Sequence, residues 1–249
     1  MKNSKNRVPG VPPRRTVAVV AAAGIGKRFG GSLSKQYVEL AGRPVLFWSL
    51  AALHACDLID EIIPVVHEQE FAATSALIDR YGIGKVLRIV PGGKERQDSV
   101  MNGLSALPEG AGIVVIHDGA RPLIAPETIA AAIHALEGYD GAVVAVPVKD
   151  TVKEAISGAG RPCVAQTLDR SRLWAIQTPQ VFYYETLKTA LERAMREGFF
   201  GTDDASVVER YGGSVTIVKG SYRNIKITTP EDILIAEAFL KSPEGGESA

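Results

Sequence analysis

Cysteine is scarce: the chain carries only Cys56 and Cys163 in 249 residues, with no metal-ligand spacing between them. That excludes a disulfide framework and a thiolate metal cage, and leaves both residues as small packing groups in a reducing, cytoplasmic setting. Histidine is equally sparse. His54, His67, His117 and His134 stand apart from one another and read as structural. No apolar run approaches the ~20 residues that span a bilayer, so a membrane protein is not expected. Nor does either sign of charge prevail: Lys+Arg and Asp+Glu both number 28, and a global basic field for nucleic acid is absent. Any anion site must be a local concentration of charge. No internal repeat or linker divides the chain. Residues 1–15 hold five basic residues and three prolines without a following apolar stretch, and read as a disordered tail rather than a secretory signal. Residues 242–249 read as a flexible end. The 46% apolar content of the whole chain fits a soluble globular protein, and residues 16–241 read as one α/β domain.

The most informative stretch runs from Val17 to Tyr37, VAVVAAAGIGKRFGGSLSKQY. Its first seven residues are unbroken apolar, as in a strand buried on both faces of a parallel sheet. Gly24, Gly26, Gly30 and Gly31 follow, and glycine lets backbone N–H groups close in on an anion. Lys27, Arg28 and Lys35 run through the same loop. Strand, glycine-rich loop and spaced cations together describe a polyphosphate cradle. A dinucleotide fingerprint would need glycine where Phe29 stands, and a Walker A loop would need glycine at Ala21 and a hydroxyl at Arg28.

Ala22-Ala23-Gly24-Ile25-Gly26-Lys27-Arg28, followed by Ser34-Lys35-Gln36-Tyr37, resembles the loop of nucleotidyltransferases that activate sugar and alditol phosphates. The chain is most similar to the 2-C-methyl-D-erythritol 4-phosphate cytidylyltransferases of the non-mevalonate isoprenoid pathway, from about Thr16 to Phe239. Ser34 departs from the proline that family often carries before Lys-Gln. The resemblance implies a Rossmann-like, mostly parallel sheet flanked by helices, of the nucleotide-diphospho-sugar transferase type, with a protruding β-arm.

Hydrophobic periodicity agrees with that class. Strands are expected at residues 17–23, 62–66, 86–90, 113–116, 142–146 and 215–218, and helices at 44–55, 69–80, 126–136 and 183–197, with a last one ending near 240. Alternation of the two predicts right-handed crossovers and a mostly parallel sheet. The rhythm breaks at residues 148–173. There two β-type pieces, 151–156 and 163–167, flank a hairpin tip at 157–162. A lone two-stranded ribbon is unstable in water and must dock on something. The family resemblance implies that this arm exchanges with a second subunit in a homodimer.

The turn Pro91-Gly92-Gly93 opens a helix whose N-terminus can face a polar ligand. Strand 113–116 delivers His117-Asp118-Gly119-Ala120-Arg121 to the carboxyl edge of the sheet, where α/β folds bind ligands. The resemblance implies that Ala22, Ala23, Gly24, Gly26, Lys35, Gly93, Ser99, Asp118 and Gly119 hold CTP. It further implies that Arg121, Thr151, Arg170, Thr178, Thr202 and Lys226 hold an alditol phosphate, Thr151 and Arg170 reaching in from the partner. Arg28, Lys35, Asp118 and Lys226 are the expected catalytic set. Asp118 beside a triphosphate calls for a divalent cation, Mg²⁺, as its ligand partner. Asp203 and Asp204 suit the start of a helix by charge alone. Three rivals remain at this point: a CDP-ribitol-forming sister enzyme, a nucleotide-binding regulator without catalysis, and, poorly supported, a dehydrogenase.

Overall fold

The computed structural model describes residues 15–24, 34–157 and 160–242. Both expected tails therefore lie outside the described residues almost entirely. In chain order the elements are β1 (Arg15–Ala21), β2 (Glu39–Leu40), β3 (Arg43–Pro44), α1 (Val45–Ala55), β4 (Glu61–Val66), α2 (Phe71–Tyr81), β5 (Val90–Pro91), α3 (Arg96–Ser105) and β6 (Ala111–Asp118). There follow α4 (Pro126–His134), β7 (Gly141–Pro147), β8 (Lys153–Ser157), β9 (Pro162–Thr167), β10 (Trp174–Tyr183), α5 (Tyr184–Glu197), α6 (Asp204–Arg210), β11 (Val215–Lys219) and α7 (Pro230–Lys241).

Seven strands form one sheet in the order β11-β7-β10-β6-β1-β4-β5. All run the same way except β10, which is antiparallel to both β6 and β7. The alternation of side chains along a strand sorts the core into two layers. Ala18, Val20 and Ala22 face the layer closed by α1, α2 and α4, while Val17 and Val19 face the layer closed by α3, α5 and α6. A third small cluster, Leu40, Val45, Ala120, Ile227 and Ala236, seats α7 against the β2–β3 hairpin.

Two departures from the sequence reading have local causes. The strand expected at 86–90 contracts to Val90–Pro91, with one isolated bridge from Ile62 to Val86. This is the sheet edge, and Leu87 between those contacts is 38% exposed, so no second face exists to hold the chain flat. Cys163, expected to pack, is exposed on the arm, whereas Cys56 is buried.

Within β10 the register slips between Ile176 and Gln180. Thr178 lies within that stretch, buried, with its hydroxyl on the Asp118 N–H at the end of β6. The arm, β8 paired antiparallel to β9, joins no other strand, and every residue in both strands is exposed.

Candidate active site

A cleft of about 520 Å³ opens beyond the carboxyl ends of β1 and β6. Parallel strands deliver their C-terminal ends to one edge, so Ala23 and Gly24 just past β1 and Asp118 at the end of β6 line one cleft. Pro91 to Glu95 closes one wall. Close approach there demands glycine, since a Cβ on Gly92 would stand 2.2 Å from the Ala23 Cβ. Ser99, in the first turn of α3, accepts the Gly93 N–H at 3.0 Å and so fixes that wall. Gly119 lies behind, its N–H on Ala21 O at 3.0 Å, packed too closely against Ala22 for a side chain.

Asp118 is the centre of charge. Lys226 Nζ lies 2.7 Å from its Oδ2, Arg96 Nε donates to its Oδ1 at 3.3 Å, and Arg121 Nε stands 3.8 Å from Oδ2. Burial opposes ionisation of this carboxyl. The positive charges of Arg96 and Lys226 outweigh it and hold the pKa well below the usual carboxylate range. Arg96 also donates to Asp204 Oδ2 at 2.8 Å. Burial disfavours its charge too, but Asp204 and Asp118 overcome that and leave the guanidinium still more firmly protonated. The network thus ties the end of β6 to the starts of α3 and α6. Lys35 reaches over the cleft, its Nζ donating to Ile227 O at 3.2 Å, next to Lys226 in sequence.

Several expected site residues therefore meet here: Ala23, Gly24, Lys35, Gly93, Ser99, Asp118 and Lys226 line one cleft. Arg121 sits just beneath, with Nη1 on Asn224 O at 2.8 Å. Thr178 is buried, and its hydroxyl is engaged by the Asp118 N–H and by His117 Nδ1, both at 3.0 Å. In this chain that hydroxyl positions the end of β6. Thr151, Arg170 and Thr202 are exposed and do not line the cleft; Arg170 Nη1 bonds Lys149 O at 2.8 Å near the foot of the arm. Arg28 and Gly26 lie outside the described residues.

Sequence reasoning passed over three contributors. Arg96 follows the Gly92-Gly93 turn directly, which was the available signal, but its partners lie 22 and 108 positions away. Asp204, read as part of a helix start, also anchors Arg96. Gln36 is 2% exposed beneath the cleft and bonds the backbone of Ala22 and Gly24.

No helix among the described residues is long and apolar enough to cross a membrane. Residues 16–242 match the family model described as 2-C-methyl-D-erythritol 4-phosphate cytidylyltransferase, IspD. A protein of that name from Pelotomaculum thermopropionicum is 50% identical over 235 residues, covering 93% of this chain and 96% of the relative. One from Geotalea uraniireducens is 46% identical over 231 residues, 92% of this chain and 97% of the relative. Among solved structures, 4-diphosphocytidyl-2C-methyl-D-erythritol synthase from Anaerococcus prevotii superposes with a TM-score of 0.82 at 33% identity, over 92% of this chain and 97% of that one. The Thermus thermophilus 2-C-methyl-D-erythritol 4-phosphate cytidylyltransferase gives 0.72 at 27% identity, over 92% of this chain and 100% of that one. With Gly24 just beyond β1 and a ring of cations around Asp118 in a cleft shared by both, the chain belongs to the 2-C-methyl-D-erythritol 4-phosphate cytidylyltransferase family.

Proposed function

We infer that the cleft transfers a cytidylyl group from CTP to the phosphate of 2-C-methyl-D-erythritol 4-phosphate. An acceptor phosphate oxygen bonds to the α-phosphorus of CTP, the bond from that phosphorus to the bridging oxygen of the β-phosphate breaks, and pyrophosphate leaves. The product is 4-diphosphocytidyl-2-C-methyl-D-erythritol. One observation carries this reading: an ionised carboxylate among cations from α3, the turn after β6 and the segment before α7, in a cleft that Lys35 also lines.

The attacking phosphate is already an anion, so no general base is needed. Tyr37, two residues after Lys35, suits none, because burial pushes its pKa up to about 12 despite its bond to Thr74. The demand is electrostatic: a dianion must meet a polyanion, and positioned cations answer it. Lys35, with Arg28, is assigned to the α-phosphate and leaving pyrophosphate. Lys226 and Arg121 are assigned to the acceptor phosphate, with Thr202 on the acceptor and Thr151 and Arg170 supplied by a second subunit. Ala22, Ala23, Gly24, Gly26, Gly93, Ser99 and Gly119 shape the nucleotide side.

Among the described residues no group of three or more His, Cys, Asp or Glu could enclose a metal. Asp118, an ionised carboxylate lining the cleft beside Glu95, nonetheless fits Mg²⁺, which takes one or two carboxylates and completes its shell with phosphate oxygens and water. Asp118 would hold it, and the ion would neutralise charge on the triphosphate. The free thiol of Cys163 suits a reducing, cytoplasmic setting.

The test is pyrophosphate release by purified protein with CTP and Mg²⁺, offered 2-C-methyl-D-erythritol 4-phosphate or ribitol 5-phosphate. Release with the first acceptor is expected, and Lys35→Ala should lower turnover ~10²–10³-fold with the fold retained. Preference for ribitol phosphate would move the acceptor assignment. CTP binding without pyrophosphate release would leave only a nucleotide-binding protein.

A further inference from the structure

Between β11 and α7 the chain brings Lys226 to Asp118 without forming a helix or strand, so its course depends on anchors to other elements. Asn224 supplies one. It is 1% exposed, and its Nδ2 donates to Gln177 Oε1 at 2.9 Å and to Thr178 O at 3.0 Å, both on β10. A backbone carbonyl can only accept, which sets the orientation of the Asn224 amide. Gln177 is set in the same way: its Nε2 donates to Ser221 O at 2.9 Å and leaves Oε1 for Asn224. The two amides form a latch of one polarity that fastens residues 221–224 to β10.

The latch fixes a carbonyl on which the cleft depends. Arg121 Nη1 donates to Asn224 O at 2.8 Å, and among the described residues this is the one hydrogen bond of the Arg121 side chain. Its Nε stands 3.8 Å from Asp118 Oδ2, too far for a hydrogen bond. A guanidinium carries its N–H groups in a rigid fork, so one bond held in place aims the others. Two residues after Asn224, Lys226 Nζ lies 2.7 Å from Asp118 Oδ2. The next residue, Ile227, is fully buried, with its N–H on Ala120 O at 2.8 Å. Lys226 is thus held from both sides, and both cations assigned to the acceptor phosphate depend on one short segment. The nucleotide side is held separately. Gly93 is bonded to Ser99, and Lys35 rests on Ile227 O, in a residue that Ala120 anchors independently of Asn224.

We propose that Asn224 is a positioning residue for the acceptor phosphate: its buried amide fixes the carbonyl that orients the Arg121 guanidinium and the segment that presents Lys226. This rests on the reading of the cleft as a cytidylyltransferase site. Because the nucleotide side does not hang on the latch, the affinities for acceptor and nucleotide should part.

The experiment compares the parent with Asn224→Leu, of similar volume but without donors, and with Gln177→Met, which opens the latch from the other side. Arg121→Ala and the double variant Asn224→Leu/Arg121→Ala complete a cycle. Thermal unfolding reports the fold, calorimetry the Kd of CTP, and pyrophosphate release the KM of the acceptor phosphate. Asn224→Leu should raise the acceptor KM about tenfold, the loss of one oriented hydrogen bond from a charged group. Gln177→Met should move it in the same direction, and the CTP Kd should stay within about twofold in both. In the Arg121→Ala background, Asn224→Leu should add less than about threefold, because residues that act through one another are not additive. A folded Asn224→Leu with the parent's acceptor KM overturns the proposal, as does an equal loss of CTP affinity or an effect that multiplies in full with that of Arg121→Ala. Should Asn224→Leu not fold, Gln177→Met decides by the same KM and Kd. Failure of both to fold also overturns it, since the latch would then belong to the core alone. A parent that releases no pyrophosphate with either acceptor removes the functional reading and this inference with it. A working parent beside variants of normal acceptor KM rejects Asn224 only.

Discussion

His117 carries no positive charge at neutral pH, because burial lowers its pKa from 6.5 to about 4, with Asp118 pulling the other way. Its hydrogen bonds fix the tautomer. Arg121 O can only accept, so Nε2 carries the proton and donates to it at 3.2 Å, leaving Nδ1 to accept from the Thr178 hydroxyl, which itself accepts the Asp118 N–H. Linkage sets the sign of the pH effect. Between pH 6.5 and 4 the unfolded chain takes up a proton that the native histidine refuses, so stability falls as pH falls through that window. The full effect is roughly 3 kcal/mol. His117→Asn, neutral at every pH, should flatten the dependence of Tm on pH from 6.5 to 4 even if its Tm at pH 7 is lower. Parallel curves for parent and variant would remove His117 as the cause. Asp118 acts lower down: its depressed pKa contributes stability above the ordinary carboxyl value of 3.8, lost as pH drops further.

The turn between β5 and α3 owes its course to glycine. At Gly92 a methyl group would meet the Ala23 side chain at 2.2 Å and Ser99 Oγ at 3.2 Å, so Gly92→Ala must push the wall of the cleft away from the end of β1. Overpacking of this kind costs about 1–3 kcal/mol, and at this chain length each kcal/mol lowers Tm by roughly 2–4 °C. Gly92→Ala should therefore melt earlier and bind CTP more weakly, while Gly84→Ala, with open space around its Cβ, should do neither. Equal behaviour of the two variants in thermal melts and calorimetry would show that the wall yields without cost. The glycine pair and the helix after it were legible in the sequence. Why the first glycine is needed was not, because Ala23 comes near it only through the pairing of β1 with β4 and of β4 with β5. The strand expected at 86–90 failed for a related reason: an apolar run reports a preference for burial, and at a sheet edge only its two ends find partners, Val86 in one bridge and Val90 in β5.

The arm gives the molecule an unfinished surface. Ile156 and Val164 on β8 and β9 are 58% and 64% exposed, and Trp174 and Ile176 at the start of β10 are 36% and 41% exposed. Exposed apolar groups on a ribbon that pairs with no other strand, and on the strand leading from it, suit a contact surface. Exchange of arms in a homodimer would cover them and carry Thr151 and Arg170 to a neighbouring cleft, consistent with their distance from the cleft of their own chain. Ile156→Asp combined with Val164→Asp should convert a dimer to a monomer in light scattering after gel filtration. Turnover should fall by roughly two orders of magnitude, the usual consequence of withdrawing positioned polar contacts. A variant that remains dimeric would place the interface elsewhere, and a fully active monomer would free Thr151 and Arg170 from the reaction.

The sequence by itself determined the class of fold and the kind of ligand. Continuous apolar runs at 17–23 and 142–146 are long enough to demand burial on both faces, and glycines with cations after the first run suit a polyphosphate, because both signals lie in neighbouring residues. Tertiary structure alone decided how the site is held. Arg96 joins Asp118 to Asp204, Gln36 bonds the carbonyls of Ala22 and Gly24, and buried Thr178 holds both His117 and the Asp118 N–H. Each of these depends on groups far apart in the chain, brought together by the pairing of strands. A buried charge or amide must find its partner in space, and local sequence carries no record of which distant residue the fold will bring.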